Sequence, residues 1–342
     1  MAVNTSFYQS SELQMGVGID NSTVGTKSTA IKAIETDSVS LPTFNDYKVE
    51  RRGGSSSGFL IEPSDIFIHK PGGAIEFSAS GYMTNELQAI LLPNALGTAY
   101  STNDITIANG NSKVNTTFYQ NEAAGAHKTL TFAFNSIGTS NDCIAVPGCV
   151  ITSLTLSWDA NDDGGRIKFD LTATSRVPAD FSTLNTIAAY DTDYCYGTAY
   201  NDDWTLLGVQ TFFKSWSLNI ENPVSFLGGV PDTTAATSVD GEPQTYLRSV
   251  PELGITFQSV VKYDLSMDDF WNTMRTTGAS GTVTPGFKIQ EGTGTPTHLI
   301  AAENCSIEEM SYDEGDFLGL NTTLKVRDGA SSYSFKYTWP QS

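Results

Sequence analysis

Residues 149–175 read CVITSLTLSWDANDDGGRIKFDLTATS, and the alternation within this stretch decides the fold. Leu154, Leu156 and Trp158 alternate with Thr155 and Ser157; after a turn, Ile167, Phe169 and Leu171 alternate with Lys168, Asp170 and Thr172. A period of two puts one set on a buried face and the other toward solvent, which predicts two strands. Asp159 to Gly165 supplies Asp, Asn and Gly, residues that accept positive φ in a hairpin loop. A fainter copy begins 156 residues further on, where CSIEEMSYDEGDFLGLNTTLKV (Cys305 to Val326) again leaves a cysteine, crosses an acidic Gly-containing turn and returns.

Working outward, each hairpin closes a similar series. Before Cys149 come strand-like runs at Phe59 to Ile61, Ile66 to Ile68 and Ala74 to Ser80, punctuated by Pro63, Pro71, Gly72 and Gly73. Thr84 then caps a short helix, NELQAILLPNAL, that Pro93 is expected to end or kink. Strand-like runs follow at Asp104 to Ala108, Val114 to Tyr119 and Thr129 to Phe134. Before Cys305 the series is Phe212 to Val224, Leu253 to Tyr263, a capping box at Ser266 and Asp269 before a second short helix, then Phe287 to Gln290 and His298 to Ala302. The same order twice, with anchor pairs Cys149/Cys305, Leu171/Leu324 and Leu87/Phe270, points to a repeat. Residues 1–58 scatter their apolar positions and end in a Gly/Ser joint, the pattern of an extended arm lying on another subunit or on the body of its own. The expected division is an arm at 1–58 and β domains at 59–180 and 181–342.

The bulk composition limits function. The 342 residues carry 19 basic and 38 acidic side chains, a formal charge of −19, so the basic footprint of a nucleic-acid binder is absent. No apolar run is long enough to span a membrane as a helix. The opening MAVNTSFYQSSELQMG lacks the basic cap and apolar core of a secretory signal, so the chain is expected to act where it is made or to assemble from there. Four cysteines, Cys143, Cys149, Cys195 and Cys305, are too few for a disulfide scaffold and are read as small core residues.

Motifs of chemistry are sparse. Asp159, Asn161, Asp163, Gly164 and Asp170 fall on positions 1, 3, 5, 6 and 12 of a calcium-loop pattern. Position 12 is Asp instead of Glu, and strand-like flanks replace helices, so turn geometry explains these residues better than a metal does. His69, His127 and His298 stand far apart, no nucleophile or phosphate-loop motif is present, and acidic pairs such as Glu308–Glu309 read as solvated faces. The expectation is no enzyme, no cofactor and no metal. The tryptophans suit core packing better than a sugar platform. The stretch from Gly228 to Gln244, which includes Pro231, Asp232, Asp240 and Pro243, is longer than an ordinary connection and is read as a loop reaching a neighbour.

Three stretches carry a resemblance: RRGGSSSGFLIEPSDIFIHKPGGAIEFSASGYMTNELQAILLPNALG (Arg51 to Gly97), ITSLTLSWDANDDGGRIKFDLTATSRVPAD (Ile151 to Asp180) and SWSLNIENPVSFLGG (Ser215 to Gly229). The chain, from about Arg51 to its end, resembles the tail tube (major tail) proteins of long-tailed bacteriophages. That resemblance implies a mainly β fold of two tandem sandwich or partial-barrel domains, each with one short helix. It implies rings stacked into a tube in the virion tail, assembled from chains made in the bacterial host cytoplasm. DNA passes through the tube without being held tightly. Three copies would make a pseudo-sixfold ring if both halves are tube domains, six if only one is. Other tail proteins (tape measure, tail terminator, distal tail) would be its partners. Asp159, Asp162, Asp163, Asp170, Asp313, Glu314 and Asp316 are candidates for the channel wall or ring contacts, and the Gly228 loop for contacts between rings. The competing readings are a baseplate or other structural or adhesive β protein and, behind it, a carbohydrate-binding module or carbohydrate-active enzyme.

Overall fold

A computed structural model describes residues 13–21, 25–50, 66–98, 104–108, 117–119, 129–136, 143–177, 179–181, 185–196, 201–207, 209–210, 212–227, 245–248, 252–260, 286–291, 298–314, 318–328 and 333–339. The fold is mainly β, with one α-helix among these residues. The N-terminal segment gives β1 (Leu13–Ile19), β2 (Lys32–Ile34) and β3 (Thr36–Glu50). Next come β4 (Ile66–Tyr82), α1 (Asn85–Leu96), β5 (Asp104–Ala108), β6 (Thr117–Tyr119), β7 (Leu130–Ser136), β8 (Cys143–Asp159) and β9 (Lys168–Ser175). The second half supplies β10 (Asn201–Leu206), β11 (Val209–Gln210), β12 (Phe212–Glu221), β13 (Val224–Leu227), β14 (Thr245–Arg248) and β15 (Glu252–Val260). It ends with β16 (Phe287–Glu291), β17 (Leu299–Ala302), β18 (Asn304–Glu314), β19 (Leu318–Arg327) and β20 (Tyr333–Thr338).

One antiparallel sheet organises the rest, in the order β3-β4-β9-β8-β12-β15-β19-β18. It crosses residue 180 without a break, because β8 pairs with β12 from Ser153↔Glu221 to Asp159↔Ser215. Both hairpins read from the sequence are present, as β8–β9 and β18–β19. The sheet is also the same four-strand arrangement laid down twice. In each half the first, second, fourth and third strands in chain order stand side by side (β3-β4-β9-β8, then β12-β15-β19-β18). Two irregularities recur at matching places. The step between Thr36 and Ser38 matches that between Phe213 and Ser215, and the step between Ile151 and Ser153 matches that between Ile307 and Glu309. The last pair is separated by the same 156 residues as the two cysteines. Leu324 lies opposite Ile307, the place that Ala173 takes opposite Ile151, so Ala173 and not Leu171 is its counterpart.

Beneath the sheet lie two covering layers. The first half is covered by β2, β1, β7 and the N-terminal part of β8, with Phe77 of β4 edge-on to Phe132 and Phe134 at 4.9 and 5.4 Å. The second half is covered by β11-β10-β16-β17-β20-β5, where Trp204 stacks on Phe213 at 4.9 Å and meets Trp158 edge-on at 5.5 Å. Strand β8 belongs to both the sheet and its cover: residues Cys143 to Cys149 pair with β7 and the remainder with β9 and β12. It turns at Gly148, whose φ of 68° and 2.4 Å spacing from a would-be Cβ to Val177 Cγ2 leave room only for glycine. A third, three-stranded sheet joins β13, β14 and β6.

Several expectations change. The N-terminal segment does lie on the body of its own chain, but it also enters the core: β1 pairs along its length with β7, and Met15, Val17 and Ile34 are buried. The runs at Ile66 and Ala74 are one strand, because Pro71, Gly72 and Gly73 are absorbed by a shift in register between β3 and β4. Thr84 caps α1 as read, accepting a bond from the Leu87 N–H at 3.3 Å. Pro93 does not end the helix; the chain turns once more, and Gly97 (φ 68°) closes it by donating its N–H to the Pro93 carbonyl. The expected second helix, with Phe270 and Trp271, lies outside the described residues, as does the Gly228–Gln244 loop, whose flanks β13 and β14 pair with each other.

All four cysteines are buried and unbridged, and Trp158, Trp204, Trp216 and Trp339 are buried in the core. His298 lies edge-on to Tyr337 at 5.6 Å, and its Nε2 has no hydrogen-bond partner among the described residues. Burial holds its imidazole down at about 4, against an ordinary 6.5. A depressed histidine contributes stability that is complete above its unfolded value and is lost as pH falls toward the folded one. Chemical denaturation at pH 7.5 and 4.5 is therefore expected to show His298→Leu losing about 2–3 kcal/mol less than wild type over that interval.

Candidate functional site

The two faces of the eight-stranded sheet differ completely in chemistry. One carries Ile75, Phe77 and Ala79 on β4, Phe169 and Leu171 on β9, Leu154, Leu156 and Trp158 on β8, Trp216, Leu218 and Ile220 on β12, and Ile255 and Phe257 on β15, all buried. The intervening residues form the other face. Cross-strand rows there read Ser80–Asp170–Thr155–Asn219–Gly254–Lys325 and Lys168–Ser157–Ser217–Thr256–Thr323–Glu309. A strand can present such a face only if every second residue is short and polar, and the period of two in β8, β9, β12 and β15 supplies that.

The polar groups on this face bind one another. Thr155 Oγ1 and Asn219 Oδ1 are 3.1 Å apart, Ser153 Oγ donates to Glu221 at 3.2 Å, and the Thr256 and Thr323 hydroxyls meet at 3.3 Å. Basic groups are matched by carboxylates: Lys168 with Asp162 at 3.2 Å, Lys325 with Glu252 at 2.5 Å, Arg327 with Glu308 at 3.1 Å and Lys214 with Asp313 at 3.8 Å. The hydrogen bond from Lys325, helped by its charge, holds the Glu252 carboxyl below its ordinary range. A shallow hollow on this face is walled by Ser157, Asp159, Arg166, Lys168, Ser217 and Gln258.

The candidate acidic residues divide between this face, the hairpin tips and segments outside the described residues. Asp159 ends β8, where its Oδ1 takes the Asn161 N–H at 2.8 Å; Asp170 is exposed on β9 between Thr155 and Ser80. Asp313 accepts a bond from Gln258 near the end of β18, and Glu314 is that strand's last residue. Asp162 is exposed at the β8–β9 tip, and Asp163 opens the 3-10 turn Asp163–Gly165. Strands flank this loop, and among the described residues no cluster of three or more His, Cys, Asp or Glu side chains is placed to hold a metal. Asp316 and the loop residues Gly228, Pro231, Asp232, Asp240 and Pro243 lie outside the described residues. Glu76, Glu221 and Glu252 join the same face and were not singled out from the sequence, although the alternation in EFSAS and SLNIE marks the first two; Glu309, read from the sequence as part of a solvated acidic pair, lies there too.

No protein-family model and no curated protein matches the chain. No helix among the described residues is long and apolar enough to cross a membrane.

Proposed function

We propose that this chain is a structural subunit of a bacteriophage tail tube. Its two halves act as tandem tube domains, and three copies close a pseudo-sixfold ring that stacks on others around a DNA channel. The observation that carries this reading is the eight-stranded sheet, covered on its apolar side and polar on the other, with one four-strand unit used twice. A wall for a moving polyanion needs short, self-satisfied polar groups and no array of unpaired cations. Phosphate binding is driven by counterions released when lysine or arginine meets the backbone, and here Lys168, Lys325, Arg327 and Lys214 already face carboxylates. The charge of −19 acts in the same direction. In this reading the polar face, with Asp159, Asp170 and Asp313, lines the channel. The Gly228–Gln244 loop reaches the next ring, and the tape measure, tail terminator and distal tail proteins meet the assembled tube in the virion tail. The chain has a structural role without catalysis or cofactor.

Electron microscopy of the purified protein and of intact tails tests the proposal. Hollow stacked rings with three chains per ring are expected. A chain that stays monomeric at high concentration and is absent from tails would overturn it, and low copy number per particle would move it to the baseplate.

A further inference from the structure

Behind the main sheet, four hydrogen-bond donors from three separate parts of the chain converge on one buried carboxylate, that of Asp20. Its Oδ2 takes the Gly25 N–H at 2.8 Å, the Gly148 N–H at 3.0 Å and the Thr129 hydroxyl, and its Oδ1 takes the Thr131 hydroxyl at 2.6 Å. Gly25 lies in the loop after β1, Thr129 and Thr131 stand at the start of β7, and Gly148 is at the bend of β8. The donors are aimed by their surroundings. The Thr131 oxygen accepts the Ser28 N–H at 2.9 Å, which leaves its own hydrogen for Asp20. Gly25 and Gly148 both take left-handed φ, 79° and 68°, and the Val177 side chain packs where a Cβ of either would stand.

Backbone N–H groups directed at one point make an anion-binding concavity, and bonds to an ionised acceptor are stronger than those between neutral groups. Among the described residues no lysine or arginine forms a salt bridge with Asp20, so neutral donors alone recognise the carboxylate. We infer that this cradle is a receptor for one small carboxylate, and that Asp20 fills it as a ligand tethered to the end of β1. Two oxygens on one carbon are the shape that four donors divided three to one between two acceptor atoms accept. The N-terminal segment is thus fastened to the bend of β8 by carboxylate recognition as well as by the pairing of β1 with β7. Once emptied of its own side chain, the cradle binds a carboxylate from solution, as a shaped cavity left by a deleted side chain binds a matching small molecule.

Chemical rescue of the full-length chain tests the receptor. Asp20→Gly removes the Cβ and the carboxyl together, which leaves room for formate with its hydrogen in the place of the Cβ. Urea unfolding of this variant is followed in sodium formate and in sodium chloride of equal ionic strength. Formate at ten times its dissociation constant is expected to raise the folding equilibrium constant about elevenfold over chloride. Wild type and Asp20→Asn, whose side chains occupy the cradle, are expected to unfold alike in the two salts. Adding Thr131→Val to Asp20→Gly is expected to weaken formate at least tenfold, and carbon-13 formate is expected to show exchange broadening with Asp20→Gly but not with wild type. If Asp20→Gly is unfolded in chloride, formate is expected to bring back the β-sheet circular dichroism. Equal midpoints in the two salts, a formate response in wild type as large as in the variant, or a variant that stays unfolded in formate would each overturn the receptor.

Discussion

Trp216→Ala is expected to lower the free energy of unfolding by about 3–5 kcal/mol, the range for emptying a large aromatic site in a packed core. Trp216 is 2% exposed and stands at the join of the two units, opposite Trp158 on β8 and Phe257 on β15. Trp158 in turn meets Trp204, which stacks on Phe213, itself stacked on Phe257 at 4.6 Å. Removing the indole opens a cavity between the two strands whose Trp158 and Phe257 end an aromatic chain that links the sheet to its cover. Ser217, the next residue, points to the polar face, and Ser217→Ala should change stability by less than about 0.5 kcal/mol. Urea titrations of the two variants decide the matter, and equal midpoints would contradict the division into faces.

Asp20→Ala is expected to cost about 3 kcal/mol or more, because it strands several buried donors at once. The Asp20 carboxylate is 3% exposed. It accepts bonds from Thr131 Oγ1 at 2.6 Å, from the Gly25 N–H at 2.8 Å, from the Gly148 N–H at 3.0 Å and from the Thr129 hydroxyl. Gly148 is the residue at which β8 leaves the cover for the main sheet, so one side chain from the N-terminal segment fixes that turn. Burial raises the Asp20 pKa despite these bonds, which means that its charge is itself costly at neutral pH. Asp20→Asn keeps one acceptor oxygen and removes the charge, so it should lose clearly less than the alanine variant. Thermal and urea unfolding at pH 7 rank the three proteins, and an alanine variant as stable as wild type would remove Asp20 from this role.

The features legible in the sequence are those written in local periodicity. Leu154, Leu156 and Trp158 alternate cleanly with Thr155 and Ser157, and this alternation gave both the strand and the polar face. Thr84 before NELQAILL located the helix start. Pairing over long separations left little trace: nothing in LQMGVGI announces that it lies against LTFAFNS more than 110 residues away, and β5 joins β20 across most of the chain. The bend of β8 was also hidden, since Pro147–Gly148 reads locally as a strand end. The lysines and arginine that neutralise the polar face went unnoticed because ion pairing depends on register between strands, which composition does not encode.

The two units share a sheet but not a covering. In the first, α1 and a short layer of strands lie behind it; in the second, a six-stranded layer includes β5 borrowed from the first half. In the proposed ring of three such chains the inner wall would repeat six times, while the outer surface would present two kinds of position in alternation. Anything recognising the outside of such a proposed tube would therefore meet threefold symmetry, although a cargo within it would experience nearly sixfold surroundings.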